Sequence, residues 1–131
     1  MSSALPDGLT ATSVATSVLR AARKLTLGLE AALASEKLGV DHWLALDALA
    51  ASDGLTMAEL QSLTLTAGPT QTRVVDKLVS QSLSYREVDA VDRRKVRVYL
   101  SERGITLHRR LVDVVGAVEA QWLASEGLPA K

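Results

Sequence analysis

The sequence predicts a mainly helical α+β protein: a run of helices, one basic β-hairpin and a long closing helix. Three observations carry this reading. Apolar residues recur at steps of three and four through most of the chain, the spacing that lines one face of an α-helix. Between Leu83 and Leu100 the period changes to alternation, the mark of half-buried strands. Two strong helix-start signals, at Thr56 and Pro69, stand close together just ahead of that change.

From Leu9 to about Ser35 the chain is Ala-rich and free of proline, with Val14, Val18, Leu25, Leu29 and Leu33 at helical steps. Val40 to Ser52 repeats the pattern through Trp43, Leu46 and Leu49, with Asp41 expected as N-cap and Asp53-Gly54 as the stop. Thr56-Met57-Ala58-Glu59 reads as a capping box, in which the threonine hydroxyl takes the Glu59 amide and the carboxylate reaches back. Leu55 and Leu60 flank it at the staple positions. The third helix is short, because Thr64 to Gly68 holds β-branched and turn residues.

Pro69 suits the first position of a fourth helix, where its missing amide is no loss. That helix is expected to run to about Gln81, with Val74, Val75, Leu78 and Val79 facing inward. Leu83 to Val88 and Lys95 to Leu100 read as two strands joined by a polar tip from Asp89 to Arg94. In the second strand Val96, Val98 and Leu100 share one face, while Lys95, Arg97 and Tyr99 share the other. Ser101 caps a last helix whose Leu107, Leu111, Val114, Val118 and Trp122 form one apolar seam, with Gly127 and Pro129 ending it. No repeat or linker interrupts the chain. A single domain over 1–131 is expected, with residues 9–35 and 101–126 as terminal helices around a core at 40–100.

Composition excludes several classes of function. At 47% hydrophobic and 23% charged residues, the chain can bury a core, which argues against disorder. It has no cysteine, so disulfides, a thiolate nucleophile and thiol-based peroxide sensing are all ruled out, in keeping with a reducing compartment. His42 and His108 lack a paired ligand at helical spacing, and no nucleophile motif is present. Neither an enzyme, a bound metal nor a cofactor is expected. No stretch approaches the roughly 18 apolar residues of a membrane span, and the start lacks a secretory pattern, so a cytoplasmic protein is expected.

Net charge is zero, but the charges are segregated. Residues 25–68 carry one basic side chain against six acidic ones, whereas residues 69–110 carry ten basic against five acidic. A polyanion responds to the field within a Debye length, about 8 Å in physiological salt, and not to the chain average.

Two short helices joined by a tight turn and followed by a basic hairpin have the layout of a winged helix-turn-helix. A helix of this kind fits the major groove of duplex DNA. With Val74, Val75 and Leu78 facing the core, Thr70, Arg73 and Lys77 lie on the opposite side of the fourth helix, and Gln71 and Thr72 lie near its start. All five can hydrogen-bond to bases or phosphates. At the hairpin tip, Arg93, Arg94 and Lys95 suit phosphates or a narrow minor groove.

The segment Thr72-Arg73-Val74-Val75-Asp76-Lys77-Leu78, then Leu83, Arg86, Asp92-Arg93-Arg94 and Leu100-Ser101-Glu102-Arg103-Gly104, resembles the multiple-antibiotic-resistance regulator (MarR) family over roughly residues 25–111. The resemblance implies a homodimeric regulator, most often a repressor, bound to pseudo-palindromic double-stranded DNA and often released by a small effector. It implies that Arg94 enters the minor groove steadied by Asp92, and that Arg73 sits on the recognition helix. Ser82 stands where the family usually has glycine, and the tail beyond Trp122 is shorter than usual.

Apolar stripes on both terminal helices call for a cover, which a twofold dimer would supply while setting two recognition helices about one DNA turn, ~34 Å, apart. Trp43 has two readings: a core anchor, or one wall of a pocket for a small aromatic effector between the first helix, its own helix and the last helix. For the chain as a whole the competing reading is a winged helix that uses its basic face on an acidic protein partner instead of DNA.

Overall fold

The computed structural model describes residues 13–126. In chain order it contains α1 (Val14–Leu33), a 3-10 turn (Ala34–Glu36), α2 (Val40–Ala50), β1 (Leu55–Thr56), α3 (Met57–Thr64), α4 (Gly68–Ser80), β2 (Ser84–Val88), β3 (Val96–Leu100) and α5 (Glu102–Ser125). The predicted helical residues 9–12 and the stop signals Gly127 and Pro129 lie outside the described residues. The fold class is the one the periodicity predicts, with one addition to the sheet.

That addition is β1. Leu55 and Thr56 pair antiparallel with Val98 and Arg97, so the sheet has three strands in the order β1-β3-β2 instead of two. Two residues are too few for alternation to register in a sequence. The hairpin itself follows expectation, with Ser84 opposite Leu100 and Val88 opposite Val96.

The capping box at the start of α3 forms in full. Thr56 Oγ1 accepts the Glu59 amide at 3.1 Å, and Glu59 Oε1 accepts the Thr56 amide at 2.9 Å. Leu55 and Leu60 are buried on either side of it. The start of α2 differs from expectation: Gly39, not Asp41, is the N-cap. Its amide donates to His42 Nδ1, and the next amide, of Val40, donates to Glu30 on α1. These side chains take the orphan donors of the first turn, so Asp41 is left within that turn, where its charge still complements the helix dipole.

α4 begins one residue before Pro69 and ends where Ser82 turns into the left-handed region at φ 61°. The Leu83 amide donates to the Leu78 carbonyl and the Ser82 amide to that of Val79, closing the helix end. Leu33, Leu46, Leu60, Val75, Leu78, Val98 and Leu111 form the most deeply buried apolar centre, drawn from every layer of the protein. On α5, Leu107, Leu111 and Val115 are buried, while Val114, Val118 and Trp122 are only partly so. The seam therefore turns at Val115 before α5 meets α1, where the Trp122 indole donates to the Ala21 carbonyl at 2.7 Å.

Two substitutions probe this architecture by chemical denaturation. Ser82→Gly should raise stability by about 1 kcal/mol by relieving the left-handed backbone. Gly104→Ala should lower it by about 1–3 kcal/mol, because a β-carbon there would collide with the Leu83 backbone carbonyl.

Candidate nucleic-acid interface

α4 and the wing both carry cationic groups, and their side-chain partners decide which of them are free. On α4, Thr72, Arg73 and Asp76 are exposed, while Thr70 and Lys77 are half-buried. Arg73 leans on the Thr70 hydroxyl at 3.4 Å, and Thr72 Oγ1 donates to the Gly68 carbonyl. Among the described residues Arg73 meets no carboxylate. Lys77 lies on the flank toward α2, close enough to His42 that its charge, after burial, helps push the imidazole pKa down.

Gln71 departs from expectation. It is buried, and its Nε2 donates to Thr64 Oγ1 at 2.7 Å, pinning the end of α3 to the start of α4. Positions 71, 74, 75 and 78 fall on one helical stripe, so the spacing that placed the valines inward places Gln71 there as well. It is a core strut and not a base-reading side chain.

Asp76 would bring unwelcome negative charge to this face, but Arg86 on β2 reaches it at 2.6 Å and neutralises it. The pair also ties α4 to the wing. Sequence reasoning assigned Arg86 no role at the site; only the fold brings it across to α4.

At the wing tip Asp92 holds Arg94 through both carboxylate oxygens. Arg94 Nε donates to Oδ1 at 3.1 Å and Nη2 to Oδ2 at 3.2 Å, while the Arg94 amide also donates to Oδ1. These bonds pull the Asp92 pKa down and raise that of Arg94. The Arg94 side chain is nonetheless 90% exposed, an oriented cation facing solvent. Arg93 and Lys95 beside it are exposed too.

Asp89, read in the sequence only as the start of a polar tip, organises the turn. One carboxylate oxygen accepts the amides of Val91 and Asp92, and the other accepts Arg97 Nε. The Arg97 bond is the largest cause holding the Asp89 pKa down at about 2. Arg97 Nη1 also reaches Glu59 Oε1 at 3.3 Å and the Gly54 carbonyl at 3.4 Å. An aspartate two and three residues ahead of turn amides is a legible Asx signal. The long-range arginine was not legible.

Trp43 resolves as a core anchor. It is buried and lies parallel to the His108 ring, with centroids 5.3 Å apart, while His108 Nε2 meets Asp47 Oδ1 at 2.9 Å. A cavity of about 480 Å³ lies where α5 passes the end of α4, bounded by Glu36, Gln81, Leu83, Arg103, Leu107 and Arg110. Trp43 does not line it, so the effector pocket expected around Trp43 gains no support from this cavity.

Because the folded-state pKa of Asp89 is depressed, its contribution to wing order is complete above the ordinary 3.8 and is lost as pH falls through about 2. Carbon-detected NMR titration should place the Asp89 midpoint near 2, and Arg97→Met should move it back up toward 3.8.

Comparison with known proteins bears on this arrangement. Residues 37–95 match the model of the MarR family. A search of curated proteins returns no match. Among solved structures, the reduced form of MarR from E. coli superposes with a TM-score of 0.83 at 19% identity, covering 89% of this chain and 87% of that one. A MepR–DNA complex from S. aureus gives 0.77 at 21% identity, over 88% and 85% of the two chains. A MarR family protein of Mycobacterium tuberculosis in complex with p-aminosalicylic acid gives 0.74 at 25% identity, over 87% and 86%. The winged helix core at residues 37–95 is thus similar to the MarR family, and the fold of the chain is the one these solved structures share.

Proposed function

We propose that this protein is a sequence-specific, double-stranded DNA-binding transcriptional regulator, a homodimeric repressor acting on a pseudo-palindromic operator in the cytoplasm. The observation that carries the reading is the exposed Arg94 guanidinium, oriented by Asp92 at the tip of a wing that stands beside a solvent-facing α4. In this reading Thr70, Thr72 and Arg73 meet the major groove, with Lys77 at its edge. Arg94 enters a flanking minor groove, and Arg93 and Lys95 contact phosphates. Pairing of Asp76 with Arg86 supports it, since repulsion of the duplex by that carboxylate is offset. A similar fold in the MepR–DNA complex supports it as well.

The whole chain, 1–131, acts as one unit in this reading, with the terminal helices as the dimerisation region. Val14, Val18, Leu19 and Leu27 on α1 and Val112 on α5 are exposed apolar side chains, the surface a twofold partner would cover. A small aromatic acid is the proposed effector. The cavity beside Arg103, where Arg110 is paired with Glu36, supports this, as does the p-aminosalicylic acid complex of the similar M. tuberculosis protein. The function needs no catalysis and no metal.

Selection from random duplex DNA should recover inverted repeats, and analytical ultracentrifugation should find a dimer. Arg94→Ala should cost about 1–3 kcal/mol and flatten the salt dependence, by about 0.9 in log K per log salt for each phosphate no longer neutralised. Unchanged affinity and slope would remove Arg94 from the interface. No duplex binding by the native protein even at low salt would replace this reading with that of a protein-interaction module.

A further inference from the structure

Arg97 lies on β3, the middle strand of the sheet, directly opposite Glu87 of β2 and Thr56 of β1. Glu87 is the cross-strand neighbour an arginine would be expected to pair with. The side chain goes elsewhere. Its Nε bonds Asp89 at the base of the wing tip, and its Nη1 bonds Glu59 in the first turn of α3 and the Gly54 carbonyl before β1. The Arg97 side chain is 27% exposed and that of Asp89 13%, so the contact is partly shielded from solvent.

Both ends of this contact continue. On one side Glu59 Oε1 also takes the Thr56 amide, so the carboxylate that caps α3 is the one that holds Arg97. On the other, Asp89 takes the Asp92 amide, and Asp92 holds Arg94. An unbroken series of hydrogen bonds therefore runs from the start of α3, through Arg97, Asp89 and Asp92, to the exposed guanidinium of Arg94.

We propose that Arg97 is a positioning residue for DNA binding: it fixes the pitch of the wing against the helix-turn-helix, and so the place of Arg94 relative to α4. The proposal rests on the DNA-binding reading above. A planar guanidinium is suited to the task, because its Nε and Nη1 donors have a fixed mutual angle and can hold two carboxylates on different elements in one geometry. A lysine would supply the charge without that angle. Arg97 itself is turned toward α3 and the wing base, so it acts through Arg94 and not on the duplex.

The test measures duplex affinity and melting temperature for Asp89→Asn, Arg97→Lys, Arg94→Ala and the double variant Arg97→Lys/Arg94→Ala. Asp89→Asn makes the protein more positive, so simple attraction to a polyanion predicts tighter binding. Positioning through Asp89 predicts about tenfold weaker binding. Arg97→Lys should weaken binding to a similar extent with its charge retained, yet change affinity less than about twofold once Arg94 is already alanine. Melting temperatures within a few degrees of native would show that the variants are folded. Asp89→Asn binding as tightly as native or tighter, or Arg97→Lys costing the same with and without Arg94, would overturn the proposal while leaving the DNA-binding reading intact. Failure of the native protein to bind duplex would end both, and would be visible before any variant was made.

Discussion

A two-residue strand pairing joins the halves of this protein. Leu55 and Thr56 pair with Val98 and Arg97, and these backbone bonds, with the Asp76–Arg86 pair, tie the helical layer to the wing. Everything nearby exploits the junction. Leu55 and Val98 are buried at its centre, Thr56 opens the capping box of α3, and Arg97 extends from the opposite register position to bind both Glu59 and Asp89. Gly54 stands just before the pairing with φ 95°, and its backbone lies against the Tyr99 ring, where a β-carbon would not fit. Close approach and a left-handed backbone are both demanded at that one point, and glycine alone meets both.

The electrostatics follow from geometry more than from composition. The net charge of the chain is zero, yet three of the acids on α4 and the wing are engaged by arginines. Asp76 is held by Arg86, Asp92 by Arg94 and Asp89 by Arg97. Each pair matches one cation to one anion, but not to the same effect. Arg97 is drawn inward, whereas Arg94 remains almost wholly exposed while its direction is set. The carboxylates are thus orienting groups for a wing whose own guanidinium does the reaching.

Most of the fold was legible in the sequence because local physics governs it. The capping box, the proline near the start of α4, the change of period at Leu83 and the Ser101 cap each depend on residues within a few positions of one another. Asp92 and Arg94 were legible for the same reason, being two residues apart. What was not legible depends on distant pairing. β1 is too short to alternate, Arg86 reaches Asp76 across ten positions, and Arg97 reaches Glu59 across thirty-eight. The misplacement of Gln71 is of another kind. Its polarity suggested the surface, while its helical phase put it in the core, where the Thr64 hydroxyl satisfies its amide donor. Asp41 was displaced as a cap because Glu30, from the preceding helix, supplies the acceptor instead.

The corner at Ser82 has a mechanical consequence. There the left-handed turn that ends α4 leads into β2, and Ser101 at the head of α5 grips it twice: its hydroxyl donates to the Ser82 carbonyl at 2.6 Å and its amide to that of Leu83 at 3.0 Å. Three elements meet in a space with no room for slack, since Gly104 already lies flush against the same Leu83 carbonyl. The head of α5 is therefore bonded directly to the corner from which α4 and the wing both depart, so the long closing helix and the two cationic elements share one anchor point.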